Sequence, residues 1–336
     1  MGIRTAVVGA TGAVGTEFLT LLAERDFPLA ELRLLASARS AGKTIDFKGE
    51  KLKIEELTHD SFRGLELVLS SAGSKVSREF MPSAVKAGAV VVDNTSCFRM
   101  QPDVPLVVPE VNPEDIFAHH GIIANPNCST IIMAVPLWPL HKRFRIRRVV
   151  AATYQAASGA GATAMRELLE ETRAFLEGRP YERTVIPHPY AFNLFPHNSA
   201  MTDSGYCEEE VKMLFETRKI FHDEEIRVHA TCVRVPVLRA HSEALNVEFE
   251  EEPTVEEVYE ILRMAEGVQV LEDRAANRWP MPIDASGRDP VFVGRVRKDR
   301  SQPRTIDLWV VGDQIRKGAA LNAVQIAERL FGIRRP

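Results

Sequence analysis

The chain is poor in cysteine. Cys97, Cys128, Cys207 and Cys232 are the whole complement of its 336 residues, and no two stand in a Cys-x-x-Cys pair. Four scattered thiols with no export signal point to free cysteines rather than a disulfide framework. The N-terminus, MGIRTAVVGA, runs straight into an apolar stretch closed by glycine. It has neither the length of a signal peptide nor a small-residue cleavage site, so a cytoplasmic protein is expected. No stretch approaches the ~18 uninterrupted apolar residues of a membrane span. Positive charge is not in surplus: 42 Lys and Arg stand against 46 Asp and Glu, a net charge of -4. That balance gives no electrostatic case for nucleic acid or an anionic membrane surface as partner. There is no internal repeat and no low-complexity segment. The pair His119-His120 has no third ligand at metal spacing, so it reads as a solvated loop and no metal is expected. Trp138, Trp279 and Trp309 read as core or interface residues, and His188 and His197, in a proline-rich stretch, receive no role.

What remains is an ordinary globular composition, 45% apolar and 26% charged, in a chain long enough for two domains. The first half alternates. Strands are expected at 3–9, 32–37, 65–72, 89–96 and near 121–126, with helical spacing at Val14, Phe18, Leu19, Leu21 and Leu22 and again over 77–88. Apolar strands alternating with helices imply a parallel sheet covered on both faces. Beyond about residue 145 the character changes. A strand is expected at 148–158, then a helix whose apolar stripe is Met165, Leu168, Leu169, Thr172, Phe175 and Leu176, stopped at Gly178. Strands at 226–237, 243–251 and 305–314 alternate in the antiparallel manner, and Thr254 with Glu257 forms a capping box. The polar stretch 178–205 reads as a long excursion, and the last helix is not placed by local pattern.

The first strand ends in GATGAVG, with Gly9, Gly12 and Gly15 leading into a helix. Glycine is needed where backbone turns tightly and approaches a phosphate, and a helix N-terminus offers free amides and a positive dipole end. In a strand–loop–helix setting this points to dinucleotide binding. An NAD-specific site places a carboxylate after the second strand, to hold the ribose hydroxyls. Here that segment is LASARSAGK, with Ser37, Arg39, Ser40 and Lys43 and no carboxylate. Hydroxyls and cations suit a 2'-phosphate, so NADP is expected over NAD, against the bland reading of a solvated basic turn.

Cys128 lies in IIANPNCSTIIMAVPLWPL, where an apolar run begins. Two readings stand. It is either an inert buried thiol, or a nucleophile at a helix N-terminus, a place that raises the thiolate fraction. In the second case amides of that turn, with Asn127, can hold a developing oxyanion. Downstream, Arg234 sits among Val233, Val235 and Val237, where a cation is costly without an anion; a carboxylate ligand and a structural salt bridge both answer that. His241 stands in a polar turn before the next strand, placed to act as acid or base. Gln155 ends a strand before the small-residue loop AASGAG, and Glu209 and Lys212 share a helical face.

Taken in order, the motifs GATGAVG, DNTSCFRM, VPEVN, NPNCST, TYQAASGAG, RVPVLRAHSEA and RKGAALNAVQIAE resemble the aspartate-semialdehyde dehydrogenase family along nearly the whole chain. NPNCST separates it from N-acetyl-glutamyl-phosphate reductase, the sister family and rival reading; a non-catalytic nucleotide-binding paralogue is the other rival. The resemblance implies an α/β fold: a Rossmann-type dinucleotide-binding domain, residues 1–127 and 316–336, with the C-terminal helix packed back on it. It implies a second, α+β catalytic and dimerisation domain, 128–315, with a mainly antiparallel sheet, and a homodimer or homotetramer. It implies that Cys128 is the thioester nucleophile, His241 the acid/base, and Gln155 the residue positioning substrate. Arg234 would hold the substrate carboxylate and one of Glu208–Glu210, taken as Glu209, its amine. Arg99 and Lys212 would hold phosphate. Gly9, Thr11, Gly12, Ala13, Val14, Ser37, Arg39, Ser40, Ser158, Gly159 and Gln314 would line NADP. The implied substrates are L-aspartyl 4-phosphate, or aspartate semialdehyde with phosphate.

Overall fold

In the computed structural model the described residues are 2–333. They form two compact units. One runs through Asn127 and resumes at Ala319; the other is Cys128–Gly318. Among the described residues no helix is long and apolar enough to cross a membrane.

The first unit is a seven-stranded sheet in the order β3-β4-β2-β1-β5-β6-β7. Its strands are β1 (Ile3–Val8), β2 (Leu29–Ala36), β3 (Thr44–Phe47), β4 (Glu50–Glu56), β5 (Leu67–Ser70), β6 (Val90–Asp93) and β7 (Ile122–Ala124), with helices α1 (Ala13–Glu24) and α2 (Ser74–Lys86). The central strands pair in parallel, as their unbroken apolar runs require. The β3–β4 hairpin is antiparallel, and it went unread in the sequence. Its residues alternate with Lys, Asp and Glu at the sheet edge, so they lack the apolar run of the central strands. Lys48 and Gly49, both at positive φ, make its turn. The final helix, α8 (Leu321–Leu330), belongs to this unit and lies against α1, β5 and β6. Long-range bonds fix it there: Asn322 donates from Nδ2 to Val107 O at 2.9 Å and Asn125 Oδ1 at 2.7 Å, and Arg25 holds Glu328 with two bonds of 2.9 and 2.8 Å.

The second unit carries a mixed seven-stranded sheet in the order β12-β13-β14-β11-β8-β10-β9. It begins with α3 (Cys128–Phe144) and β8 (Ile146–Gln155), then α4 (Ala162–Leu176), β9 (Phe195–Pro196), α5 (Glu208–Phe221), β10 (Arg227–Arg234) and β11 (His241–Phe249). It closes with α6 (Val255–Met264), β12 (Val268–Val270), α7 (Pro282–Ala285), β13 (Val291–Lys298), β14 (Thr305–Gly312) and a π-helical turn, Arg316–Ala320. β11 is antiparallel to both β8 and β14, but β10 runs parallel to β8. The antiparallel expectation fails for β10 because its connection from β8 is a long crossover through two helices, which a parallel pair needs.

The expected stripe of α4 is also corrected. Phe175 and Leu176 are 62% and 72% exposed, while Ala164, Glu167, Leu168, Glu171 and Ala174 are buried. Two of the inward residues are carboxylates because the excursion 178–205 has amides to satisfy and almost no regular structure of its own. Glu167 accepts the backbone N–H groups of Thr184, Val185 and Ile186 at 2.6, 3.0 and 2.7 Å. Burial alone would raise its pKa; the amides outweigh that and hold it below the ordinary value. Glu171 accepts from Arg183 and from the Tyr190 amide. The Thr254–Glu257 capping box and the Gly178 stop, at φ +65°, stand as read.

Candidate active site

Cys128 is the first residue of α3, so its thiol stands at the positive end of a 17-residue helix. Asn127 before it and Ser129 after it are buried, while Cys128 keeps partial exposure. The π-helical turn closes against it. A Cβ on Gly318 would stand 3.0 Å from Cys128 Cβ and 3.3 Å from Gln314 Cβ, so hydrogen is the only side chain that fits without displacement.

Strand register gathers the other candidates. Arg234 pairs with Gln155 across β10 and β8, and partners in register share a face of the sheet. His241 pairs with Gly312, beside β8. The structure corrects its position from polar turn to first residue of β11, fully buried. Its Nδ1 accepts the Ala156 N–H at 3.0 Å, while its Nε2 is buried with no hydrogen-bond partner among the described residues. The neutral ring therefore carries its proton on Nε2. Burial, then the Arg234 guanidinium, holds its pKa well below the ordinary histidine value. Arg234 is buried too; Nη1 donates to Ala156 O at 3.1 Å, and Nε has no partner among the described residues. Gly159 borders both: an added Cβ would lie 2.9 Å from Arg234 Nη1 and 3.2 Å from His241 Nε2.

Gln155 is held at both ends of its amide. Oε1 accepts from Thr153 Oγ1 at 3.0 Å, and Nε2 donates to Glu209 Oε1 at 3.2 Å. Glu209 also meets Lys212 Nζ at 3.4 Å, and its N–H donates to Ser199 Oγ at 3.2 Å. The run of three glutamates is resolved by burial and bonding. Glu208 is exposed, and Glu210 accepts the amides of Cys207 and Cys232 at 2.9 and 3.0 Å, so Glu209 alone faces Gln155. Gln314 bonds the Ser158 hydroxyl and accepts the Ala240 N–H at 2.9 Å, bracing the residue before His241. Asp313 fixes that segment by accepting from Arg239 and from the amides of Gly287, Ile315 and Arg316. Gln155, Glu209, Lys212, Arg234 and His241 thus form one cluster, linked to Cys128 through Gly318 and Gln314.

The remaining candidates lie in the first unit. Gly9, at φ +83°, has Ser71 O 2.8 Å from where a Cβ would be, and a Cβ on Gly15 would run into Gly9 O. Gly12 precedes α1 with no side-chain cap, which leaves the amides of Ala13 and Val14 at the helix mouth, with exposed Thr11 beside them. This is a cradle only backbone can fill, and it fits a pyrophosphate. After β2, Ser37 and Arg39 are exposed and Ser40 is buried, its N–H donating to Ser37 O at 2.8 Å. Arg99 is buried and donates to Asn94 O at 2.7 Å. Its loop is organised by Asp93, which accepts from Ser77 and Thr95 hydroxyls at 2.8 and 2.7 Å.

Sequence reasoning missed Asp93, Thr153, His197, Ser199 and Gly318. Only the sheet register, the hydrogen bonds and, for Gly318, close packing give them a place. His197 had no visible partner in the sequence, yet its pKa is held down to about 4 by burial and then by Arg234, against the opposing pull of Glu209.

Residues 4–119 match the family described as "Semialdehyde dehydrogenase, NAD binding domain", and residues 137–317 match "Semialdehyde dehydrogenase, dimerisation domain". The two together define a semialdehyde dehydrogenase. The chain is 60% identical over 328 residues to an aspartate-semialdehyde dehydrogenase of Synechocystis sp., covering 98% of this chain and 97% of that one. It is 54% identical to that of Aquifex aeolicus, with 98% of each chain covered. The solved aspartate semialdehyde dehydrogenase II of Vibrio cholerae, complexed with ASA, superposes over 100% of both chains with TM-score 0.96 and 45% identity. The Candida albicans enzyme with NADP superposes at TM-score 0.76 and 27% identity over 98% of this chain and 99% of that one. Within its class the chain belongs to the aspartate-semialdehyde dehydrogenase family.

Proposed function

We propose that the chain reduces L-aspartyl 4-phosphate to L-aspartate 4-semialdehyde with NADPH, releasing phosphate, in lysine, threonine, methionine and diaminopimelate biosynthesis. The observation that carries this is the cluster itself: a buried histidine, a buried arginine and a buried glutamate in one unit with a thiol at a helix N-terminus, linked to it through Gly318 and Gln314. Cys128 thiolate attacks the acyl carbon, the C–O bond to phosphate breaks, and a thioester remains. Amides of the α3 N-terminus and the Gln155 amide hold the oxyanion. When bound, NADPH supplies the hydride that reduces the thioester carbon. His241 donates a hydrogen bond from Nε2–H to the resulting oxyanion and shares its proton while the charge lasts. As that oxyanion collapses the C–S bond breaks, and the aldehyde and the Cys128 thiolate separate. Arg234 holds the α-carboxylate through its fork and Glu209 the ammonium, while Arg99 and Lys212 hold phosphate.

Gly9, Gly12 and the amides of Ala13 and Val14 would hold the pyrophosphate. Ser37, Arg39 and Ser40 would take the 2'-phosphate, which favours NADP over NAD, with Thr11, Ser158, Gly159 and Gln314 completing the site. The other face of the β8–β11–β14 sheet supports a homodimer or a tetramer built from it. There Ala152, Ala244, Tyr154 and Trp309 are outward, the two rings 5.5 Å apart, around an apolar recess that a second copy would cover.

Oxidation of aspartate semialdehyde with phosphate, assayed with NADP and with NAD, tests the reading. Turnover of N-acetylglutamate semialdehyde instead would favour the acetylated substrate, although Glu209 suits a free ammonium. Absence of turnover on either would favour the non-catalytic paralogue, although Cys128 and His241 are both retained.

A further inference from the structure

The excursion 178–205 brings one more side chain to the cluster. In the β9–β10 ladder Phe195 pairs with Arg234 and Pro196 with Val233. The next residue, His197, continues the ladder by donating its N–H to Cys232 O at 2.8 Å. His197 therefore lies on the same face as Arg234, one pleat along. Its Nδ1 accepts the Ser199 N–H at 3.2 Å and lies 3.0 Å from Ser199 Oγ. Ser199 Oγ in turn accepts the Glu209 N–H at 3.2 Å. With Nδ1 taken, the neutral ring carries its proton on Nε2, and Nε2 makes no hydrogen bond to the described residues. The ring is half-buried, so that N–H remains open to a ligand.

The surroundings define what a residue there does. Arg234 and Lys212 already supply cations, and Glu209 already supplies an anion. A third cation would oppose Arg234 and Lys212, and burial, then Arg234, keeps the imidazole uncharged at neutral pH. A neutral donor with fixed tautomer adds direction without charge. We propose that His197 is a further substrate-binding residue, whose Nε2–H donates to the α-carboxylate held by Arg234, a role that rests on the function proposed above. Because what is required is a neutral N–H, glutamine should replace it and leucine should not.

The test is steady-state kinetics of H197Q and H197L against wild type in the semialdehyde-oxidising direction. H197L should raise KM for aspartate semialdehyde about tenfold or more, as loss of a hydrogen bond to a charged group does. Its KM values for phosphate and NADP should stay near wild type, and H197Q should stay near wild type throughout. An unchanged semialdehyde KM in H197L, or an equal loss in H197Q, overturns the proposal. If H197L does not fold, the wild type still decides. In 15N-histidine-labelled protein the resonance missing from H197Q should shift when L-2-aminobutyrate, an inert amino acid with the same two charged ends, is added. A fixed resonance overturns the proposal. Failure of the functional reading looks different: wild type would not turn over aspartate semialdehyde at all.

Discussion

Glu243 is the most exposed point of the energetics, and E243Q tests it. The residue sits on β11 between Thr153 of β8 and Val310 of β14, fully buried, with neither carboxyl oxygen hydrogen-bonded to the described residues. Burial without a partner raises its pKa well above the ordinary carboxylate range. The folded protein therefore holds this proton to higher pH than the unfolded chain does. The stability this group contributes is fully present below its unfolded pKa and is lost as pH rises toward its folded pKa. Holding the proton costs about 1.36 kcal/mol for each pH unit above the unfolded pKa, until the folded pKa is reached. Glutamine keeps the shape and the neutral polar end without that cost. E243Q should be more stable than wild type at pH 7, and the gap should close as pH falls toward the ordinary carboxylate range. Trp138, Trp279 and Trp309 all lie in the second unit, so tryptophan fluorescence during urea unfolding reports on the unit that contains Glu243. Parallel stability–pH curves for the two proteins, or an E243Q less stable at pH 7, would refute the reasoning.

Other outcomes follow from the site. C128A should lose essentially all turnover yet bind NADP, measured by nucleotide fluorescence quenching; residual turnover near wild type would remove the nucleophile from Cys128. In wild type, iodoacetamide should label Cys128 before Cys97 and Cys232, whose thiols burial pushes up, as peptide mass spectrometry would show. G318A should lower kcat and alter the Cys128 alkylation rate with little effect on melting temperature, because its methyl meets Cys128 while its backbone is not at positive φ. R234K should raise KM for aspartate semialdehyde about tenfold or more, since a point charge replaces a bidentate fork, and should spare NADP binding.

The first unit was legible wherever strands were buried on both faces, because there an apolar run and a strand are the same thing. It was illegible at β3 and β4, where an edge position puts charges into the pattern. In the second unit the α4 stripe misled. Glu167 and Glu171 face inward to satisfy loop amides, and hydropathy treats an inward carboxylate as outward. The cluster was legible as residue types and incomplete as a network. Gln155, Arg234 and His241 stood out as polar residues beside apolar strands. Gly318 and Ser199 act through one close contact and one hydroxyl, and no local pattern marks either.

The first unit is also the last to be finished. Its strands are made before residue 127, but α8, which covers part of α1, β5 and β6, leaves the ribosome only after the whole of Cys128–Gly318. During synthesis the nascent nucleotide-binding sheet must wait with an apolar face bare while the second unit folds as a continuous segment. The order of assembly is therefore reversed from the order of the chain. A nascent chain halted before Leu321 would expose the face that α8 covers, and chaperone engagement is expected to concentrate at that stage of translation.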